Sequence, residues 1–488
     1  MIILLTPFQS MTGLAAAIAA VNILIVIAII FMERKNPEST LAWVLVLTFL
    51  PVVGLILYMI FSQNIARKQI FRLNPDEEKF VSSSLKKQMD AISTGSYEFL
   101  NEEADDWKDM IRLNQRYDSA YFTQNNSVEL FTDGREKFES LIADIRNAKK
   151  SINIEYYIIK WDKVGLRLLK ALEEKAKEGV EVRLLMDALG CRQITNRRIQ
   201  PLIDAGAKCA FFFRPKMKIF LMRLNYRNHR KLVVIDNHIG YIGGFNIARE
   251  YLGLKEKFGY WRDTHVKIKG GAVHDINARF ILDWRFASKE NLDFSSVFHE
   301  AAETTGNTGI QIVTSGPDSE RQEVKRAYMK MIVSAKKNIY LQTPYFVPDA
   351  SIIESLKVAA LSGIDVRVMI PCMPDHIFVY WATYSYVGEL IRSGVKVYIY
   401  DNGFLHAKTL VVDSQVASVG SANFDKRSFS LNFESNAIIY DRDIACKMES
   451  AFENDITLCH QLTQELYDQR SLIIRFKESI ARLLTNIL

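Results

Sequence analysis

The sequence predicts an α/β protein made by internal duplication: two similar domains, each a mixed sheet flanked by helices, sharing one site behind an apolar helical hairpin. Three observations carry this prediction. Strand-like and helix-like stretches alternate through most of the chain, which requires crossover connections and a sheet covered by helices. They recur in the same order in two halves, with matched segments 182 to 188 residues apart. No charged side chain precedes Glu33, and a second uncharged run follows at 39–66.

The apolar runs come first. A helix needs about 20 apolar residues to cross a ~30 Å hydrocarbon core. Met11 to Phe31 and Leu41 to Phe61 each meet that length, with a short polar connection between them, so residues 1–66 are expected to form a two-helix transmembrane hairpin. Trp43 and Tyr58 suit the interfacial belts, and Pro51 with Gly54 suggests a kink. A cleaved signal peptide fits less well, because no basic n-region precedes the first run. The connection holds two basic residues, Arg34 and Lys35, whereas 67–87 holds six. The positive-inside rule then places both ends and the folded bulk in the cytoplasm of a multi-pass cell-membrane protein.

Residues 67–125 are charged and helix-prone, a linker and lead-in. The first repeat is expected at 126–290, a connector at 291–308 and the second repeat at 309–488. Val128–Gly134 matches Ile310–Gly316, an alternating strand ending in a turn. Ala148–Tyr157 matches Ala335–Pro344, Gly179–Leu185 matches Gly363–Met369, and Leu202–Lys208 matches Leu390–Lys396. Amphipathic helical patterns, Leu166–Lys177 and Ile352–Ala360, precede the third pair of segments. The first half has an extra basic and apolar stretch, 214–227, which reads equally as an element on an anionic bilayer or as a surface helix or loop. The last residues, 472–488, pair a basic face with an apolar one, suited either to core docking or to membrane contact.

Within this repeat lies one motif, twice. His229-Arg-Lys231 runs to Asp236 and is followed by Gly243-Gly244-Phe-Asn246. His406-Ala-Lys408 runs to Asp413 and is followed by Gly420-Ser421-Ala-Asn423, with the same internal spacing, 177 residues later. In an extended strand, residues i and i+2 share a face, so each His projects with its Lys. The Asp falls near the strand's end, a place for holding structure. The small residues let backbone approach closely, and each Asn supplies an amide donor. Unpaired buried lysines without a function would be costly.

A pocket with two imidazoles, two ammoniums and two amides suits a phosphodiester. Lysines and asparagines would hold the non-bridging oxygens and the charge of a five-coordinate transition state. One His can attack phosphorus while the other protonates the leaving alcohol, and no metal or cofactor is needed. An attacking imidazole needs its other nitrogen oriented; Glu434 is the candidate for one copy and Asp263 for the other. An ion pair with Arg262 or Arg427 is the structural alternative for these acids. The remaining histidines, 238, 265, 274, 299, 376 and 460, read as structural or surface residues.

Composition limits the classes. A net charge of +6 over 488 residues fits an anionic substrate or surface but is not the basic stripe of a nucleic-acid binder. The five cysteines are scattered and never C-x-x-C, which argues against a disulfide framework or zinc site.

The paired motifs, with the long run from Gly420 through Asn423, Asp425, Arg427 and Ser428 to Glu434, resemble the HKD motifs of the phospholipase D superfamily. Within it the chain looks like the bacterial cardiolipin synthases. The stretches 36–43 and 50–55, the box Tyr260-Trp-Arg-Asp-Thr-His265 and Gln342–Pro348 carry that likeness nearly end to end. The resemblance implies phosphatidyl transfer from one phosphatidylglycerol to another at an anionic membrane, with no nucleic-acid partner. It maps catalysis to His229, Lys231, Asp236, His406, Lys408 and Asp413, with His229 as nucleophile and His406 as acid, then base. Gly244 departs from Ser421 of the second copy and leaves open which half holds phosphate more tightly. The rivals are a phospholipase D-type hydrolase releasing phosphatidic acid, a membrane-tethered nuclease, and a non-catalytic anionic-lipid scaffold.

Overall fold

The computed structural model describes residues 13–32, 37–61, 70–214, 226–298, 306–373 and 375–485. Seven strands form the first half: β1 (Phe122–Phe131), β2 (Ser151–Tyr156), β3 (Glu181–Asp187), β4 (Lys208–Phe212), β5 (Lys231–Ile235), β6 (Ile239–Gly243) and β7 (His265–Lys269). Seven more repeat them: β8 (Thr308–Ser315), β9 (Asn338–Gln342), β10 (Asp365–Pro371), β11 (Lys396–Tyr400), β12 (Thr409–Val412), β13 (Val416–Gly420) and β14 (Asn432–Tyr440). The first half reads β4-β3-β2-β5-β6-β7-β1 across the sheet, and the second reads β8-β14-β13-β12-β9-β10-β11.

Both halves are mixed. β2–β3–β4 and β9–β10–β11 pair in parallel through helical crossovers, while the remaining ladders are antiparallel. The halves join through β1. Its first residues pair with β8 (Phe122↔Gln311), and its last five pair with β7, with the register shifting between Thr123 and Asn126. Every residue of β5, β12 and β14 is buried, which is why β5 and β12 carry apolar runs that do not alternate, while β14 also buries the polar Asn432, Glu434, Ser435 and Asn436. The expected duplicated α/β architecture is therefore present.

Helices cover the sheets. Pro75–Thr94 starts with a capping box between Asn74 and Glu77, which satisfies two end donors reciprocally. Residues 75–118, read from sequence as lead-in, form helices whose Trp107, Met110 and Ile111 enter the core of the second half. Most of the 214–227 insertion lies outside the described residues, as do 299–305 of the connector.

The N-terminal runs differ from expectation. The first gives α1 (Gly13–Met32), whose side chains are described from Ala20 onward. The second is two helices, α2 (Pro37–Phe49) and α3 (Pro51–Phe61). Trp43 and Tyr58 do not mark opposite ends of one span; their rings meet edge to face at 5.3 Å. Pro51 has no N–H for the Leu47 carbonyl, and the Asn22 side chain of α1 donates to that carbonyl instead, at 2.8 Å. A Cβ on Gly54 would lie 2.9 Å from the Val46 carbonyl oxygen, so glycine lets the helices close on each other. Among the described residues, no helix is long and apolar enough to cross a membrane.

Candidate active site

β5 starts at Lys231 and β12 directly after Lys408, and each histidine lies just before its strand. The two histidines are held by the opposite half. His229 N–H donates to the Phe433 carbonyl at 2.9 Å, and His406 N–H donates to the Arg262 carbonyl at 2.7 Å. Those acceptors directly precede the two acids picked out by sequence. Accordingly His229 Nδ1 lies 3.0 Å from both oxygens of Glu434, and His406 Nδ1 lies 2.5 Å from Asp263 Oδ2. Each imidazole is thus oriented by the carboxylate of the other repeat, leaving Nε2 as the free ring nitrogen. The alternative ion pair is not formed by Arg262, which binds Asp455 at 2.8 Å.

The lysines follow their histidines as the i, i+2 rule requires. Lys231 Nζ donates to the His229 carbonyl, and Lys408 Nζ donates to the His406 carbonyl and approaches His406 Nδ1 at 2.9 Å. Lys231, His406 and Lys408 are buried and the His229 side chain is 12% exposed, and burial sets their acidity. It pulls Lys231 down to about 7 and Lys408 to about 8, against the partial compensation of Glu434 and Asp263 respectively. Burial, with Lys408 nearby, lowers His406 to about 4; His229 is also lowered by burial, opposed by Glu434. Burial would raise both carboxylates, but Lys408 and His406 more than offset it at Asp263, and His229 and Lys231 do so at Glu434. Two carboxylates stay ionised beneath neutral imidazoles and supply the main compensating charge to the two lysines.

The two halves support their acids differently. Glu434 also accepts from Ser421 Oγ (2.5 Å), Ser428 Oγ (2.9 Å) and Asn432 Nδ2 (3.2 Å). Asp263 accepts the Thr264 N–H at 2.7 Å. A Cβ on Gly244 would lie 2.0 Å from Asp263 Oδ1. Gly244 therefore makes room for Asp263 where Ser421 bonds Glu434: the residues exchange with the acid they serve, and the Ser421 hydroxyl is turned to a carboxylate. At Gly243 and Gly420 a Cβ would meet His265 Cα at 2.5 Å and Asn436 Cγ at 2.2 Å, so these glycines let β6 and β13 pass close to their neighbours.

Asn246 and Asn423 are buried. Asn246 Nδ2 donates to Tyr251 Oη at 2.9 Å, and Asn423 Nδ2 donates to Asp425 Oδ2 at 3.2 Å, which uses one of each amide's two N–H groups. Asp236 and Asp413 stand apart. Five residues beyond each lysine is about 16 Å along a strand. Asp236 accepts the N–H groups of Lys149, Lys150 and Ser151 at 2.6–2.9 Å, and Asp413 those of Lys336, Lys337 and Asn338 at 2.7–3.0 Å. Both brace the far end of the motif strand.

Sequence reasoning missed the residue between His229 and Lys231. Arg230 is buried, pairs with Asp283 at 2.8 Å, and donates to Ser435 Oγ (3.0 Å) and the Ser315 carbonyl (3.2 Å), spanning both halves. The available signal was a further basic residue set between His229 and Lys231, directly before the apolar run 232–235. It also missed the rings that wall the histidines: Tyr157 at 4.7 Å from His229, and Trp261 at 5.2 Å from His406. Among the described residues, no group of three or more His, Cys, Asp or Glu could hold a metal ion.

With the geometry in place, comparison with known proteins is decisive. The family described as "Cardiolipin synthase, PLD-like domain" matches twice, at 141–280 and 328–456, and "Phospholipase_D-nuclease N-terminal" matches at 20–63. The chain belongs to the cardiolipin synthase family. It is 51% identical to the major cardiolipin synthase ClsA of Bacillus subtilis, over 96% of this chain and 97% of that one. It is 50% identical to a cardiolipin synthase of Listeria monocytogenes, again over 96% and 97%. The crystal structure of a phosphatidylserine synthase from Haemophilus influenzae shares the fold, with TM-score 0.59 and 16% identity over 78% of this chain and 100% of that one. For this cardiolipin synthase family member, both family matches fall on the two motif-bearing repeats.

Proposed function

We propose that the chain transfers the phosphatidyl group of one phosphatidylglycerol to the glycerol head of another, giving cardiolipin and free glycerol. The observation that carries this reading is the pair of His-Lys sets, each imidazole oriented by a carboxylate from the other repeat. His229 Nε2 attacks phosphorus; the bond from phosphorus to the glycerol oxygen breaks, and His406, which takes up a proton when the anionic phosphodiester binds beside it, gives that oxygen this proton. His406 then takes the proton of the acceptor's hydroxyl, whose oxygen displaces His229 from phosphorus. Lys231 and Lys408, with the remaining amide N–H groups of Asn246 and Asn423, hold the non-bridging oxygens. Asp263 and Glu434 position the imidazoles, and Asp236 and Asp413 position the strands.

The apolar N-terminus anchors this site to the cell membrane. The six basic residues at 67–87, against two at 34–35, make the side of the folded bulk cytoplasmic by the positive-inside rule. The test of function is lipid analysis after incubating the purified full-length protein with phosphatidylglycerol vesicles. Cardiolipin with an equal amount of glycerol is the expected result, lost in His229→Ala and in His406→Ala. Phosphatidic acid as main product would instead make it a hydrolase.

A further inference from the structure

We infer that the C-terminal helix Leu472–Leu484 lies on an anionic bilayer and turns the mouth of the active site toward it. A helix docked on a globular domain normally buries its apolar stripe. This one is reversed. Toward the neighbouring helix Ile377–Ile391 it presents Glu478 and Ala481, both buried, and Arg482. Arg482 binds Glu389 at 2.5 Å and lies over the Tyr386 ring, Lys477 lies over Trp381, and Arg470 binds Glu478 at 2.9 Å. The opposite face carries Leu472 (81% exposed), Ile473 (68%), Phe476 (68%) and Leu483 (67%). The helix is thus fixed by its polar side with an apolar face turned outward, an arrangement that marks an interaction surface.

Charge and position identify the occupant. Arg475 and Lys477 are exposed on the two shoulders of the apolar face, where basic side chains reach lipid phosphates while the apolar residues enter the acyl region. In a symmetric contact between two copies, these same cations would face one another. The two helices run in the same direction, since Lys477 meets Trp381 and Arg482 meets Tyr386. Leu472 therefore lies toward Ile377 and Phe378, themselves 55% and 56% exposed. That end borders a shallow cleft lined by Tyr345, Asp375, His376 and Tyr380, and Asp375 is near enough to Lys408 to act on its charge. The apolar face thus ends near a cleft whose Asp375 acts on Lys408, the lysine of the His406 motif.

The test uses the full chain in vesicles of phosphatidylethanolamine and phosphatidylglycerol; its activity arm rests on the phosphatidyl-transfer reading, its labelling arm does not. An environment-sensitive fluorophore is placed on Phe476→Cys in a Cys446→Ser background, and on native Cys446 as the exposed control. Lipid brominated in the acyl chain is expected to quench the first label and spare the second. The combined Leu472→Ser, Phe476→Ser and Leu483→Ser protein should lose about tenfold or more of its activity on vesicles, as expected for removing three insertable side chains, and keep its activity on monomeric short-chain phosphatidylglycerol. A label at 476 untouched by brominated lipid overturns the proposal, whether it stays in water or is buried between two copies. So does full vesicle activity of the triple variant. If that variant fails on both substrates it has lost its fold, and the label decides alone. If the wild type fails on both, the transfer reading falls while the label still decides membrane contact.

Discussion

Replacing Glu434 by glutamine keeps its shape and removes its charge. The side chain accepts from His229, Ser421, Ser428 and Asn432. A carboxylate satisfies four donors because it is acceptor-only, whereas an amide must present N–H to one pair of them. Turned toward His229, that N–H makes Nδ1 an acceptor and drives the ring proton to Nε2, the atom that must attack phosphorus. A carboxylate-to-amide change of this kind in a Ser-His-Asp site lowers kcat by about 10⁴ through the wrong tautomer, or ~5.4 kcal/mol of activation. Glu434 is also the largest favourable charge acting on Lys231, so the phosphate-holding ammonium weakens in parallel. Glu434→Gln should therefore lose about 10³–10⁴ of kcat, measured as cardiolipin formed in single turnover beside a melting curve by circular dichroism. Retention of more than about a tenth of the wild-type rate with unchanged melting would refute the orienting role.

Three further outcomes follow. Gly244→Ala places a carbon against Asp263, and the displaced carboxylate should cost about 10² or more in kcat, while rates of vesicle binding by sedimentation stay unchanged. Lys408→Met should abolish transfer yet raise the melting temperature at pH 7. The folded pKa of Lys408 is lowered to about 8 from 10.5, so the unfolded chain holds more protons between those values and wild-type stability rises with pH across that window. The gain from the substitution, about 3 kcal/mol below pH 8 by linkage, should shrink toward pH 10 in melts taken along the range. Arg230→Ala leaves Asp283 buried without this partner and unties both halves, so unfolding in urea should show a loss of about 3–5 kcal/mol.

The duplication and both motifs were legible because repetition at fixed spacing survives in one dimension. The strand argument also sent Asp236 and Asp413 to the far end of β5 and β12, where they hold backbone N–H groups. The pairing of acids with histidines was not legible. Asp263 and Glu434 stand at matching places in their own repeats, and only the backbone bonds to Arg262 and Phe433 show that each serves the other half. The kink expected at Pro51 and Gly54 in the second apolar run is a full break: the missing N–H of Pro51 and the close approach at Gly54 let α3 turn back on α2. The amphipathic pattern at 472–484 was clear, yet which face docks depends on Trp381, Tyr386 and Glu389, on a helix distant in sequence.

The central claim is that two repeats form one site with a covalent phosphatidyl intermediate on His229. The most direct test is rapid acid-free quenching of the full-length protein with phosphatidylglycerol labelled at phosphorus, followed by peptide mapping of the bound label. The account predicts an acid-labile, alkali-stable adduct on His229 alone, accumulating in His406→Ala when the leaving group needs no protonation. Label on both histidines equally, or transfer with no covalent adduct at any time, would contradict it.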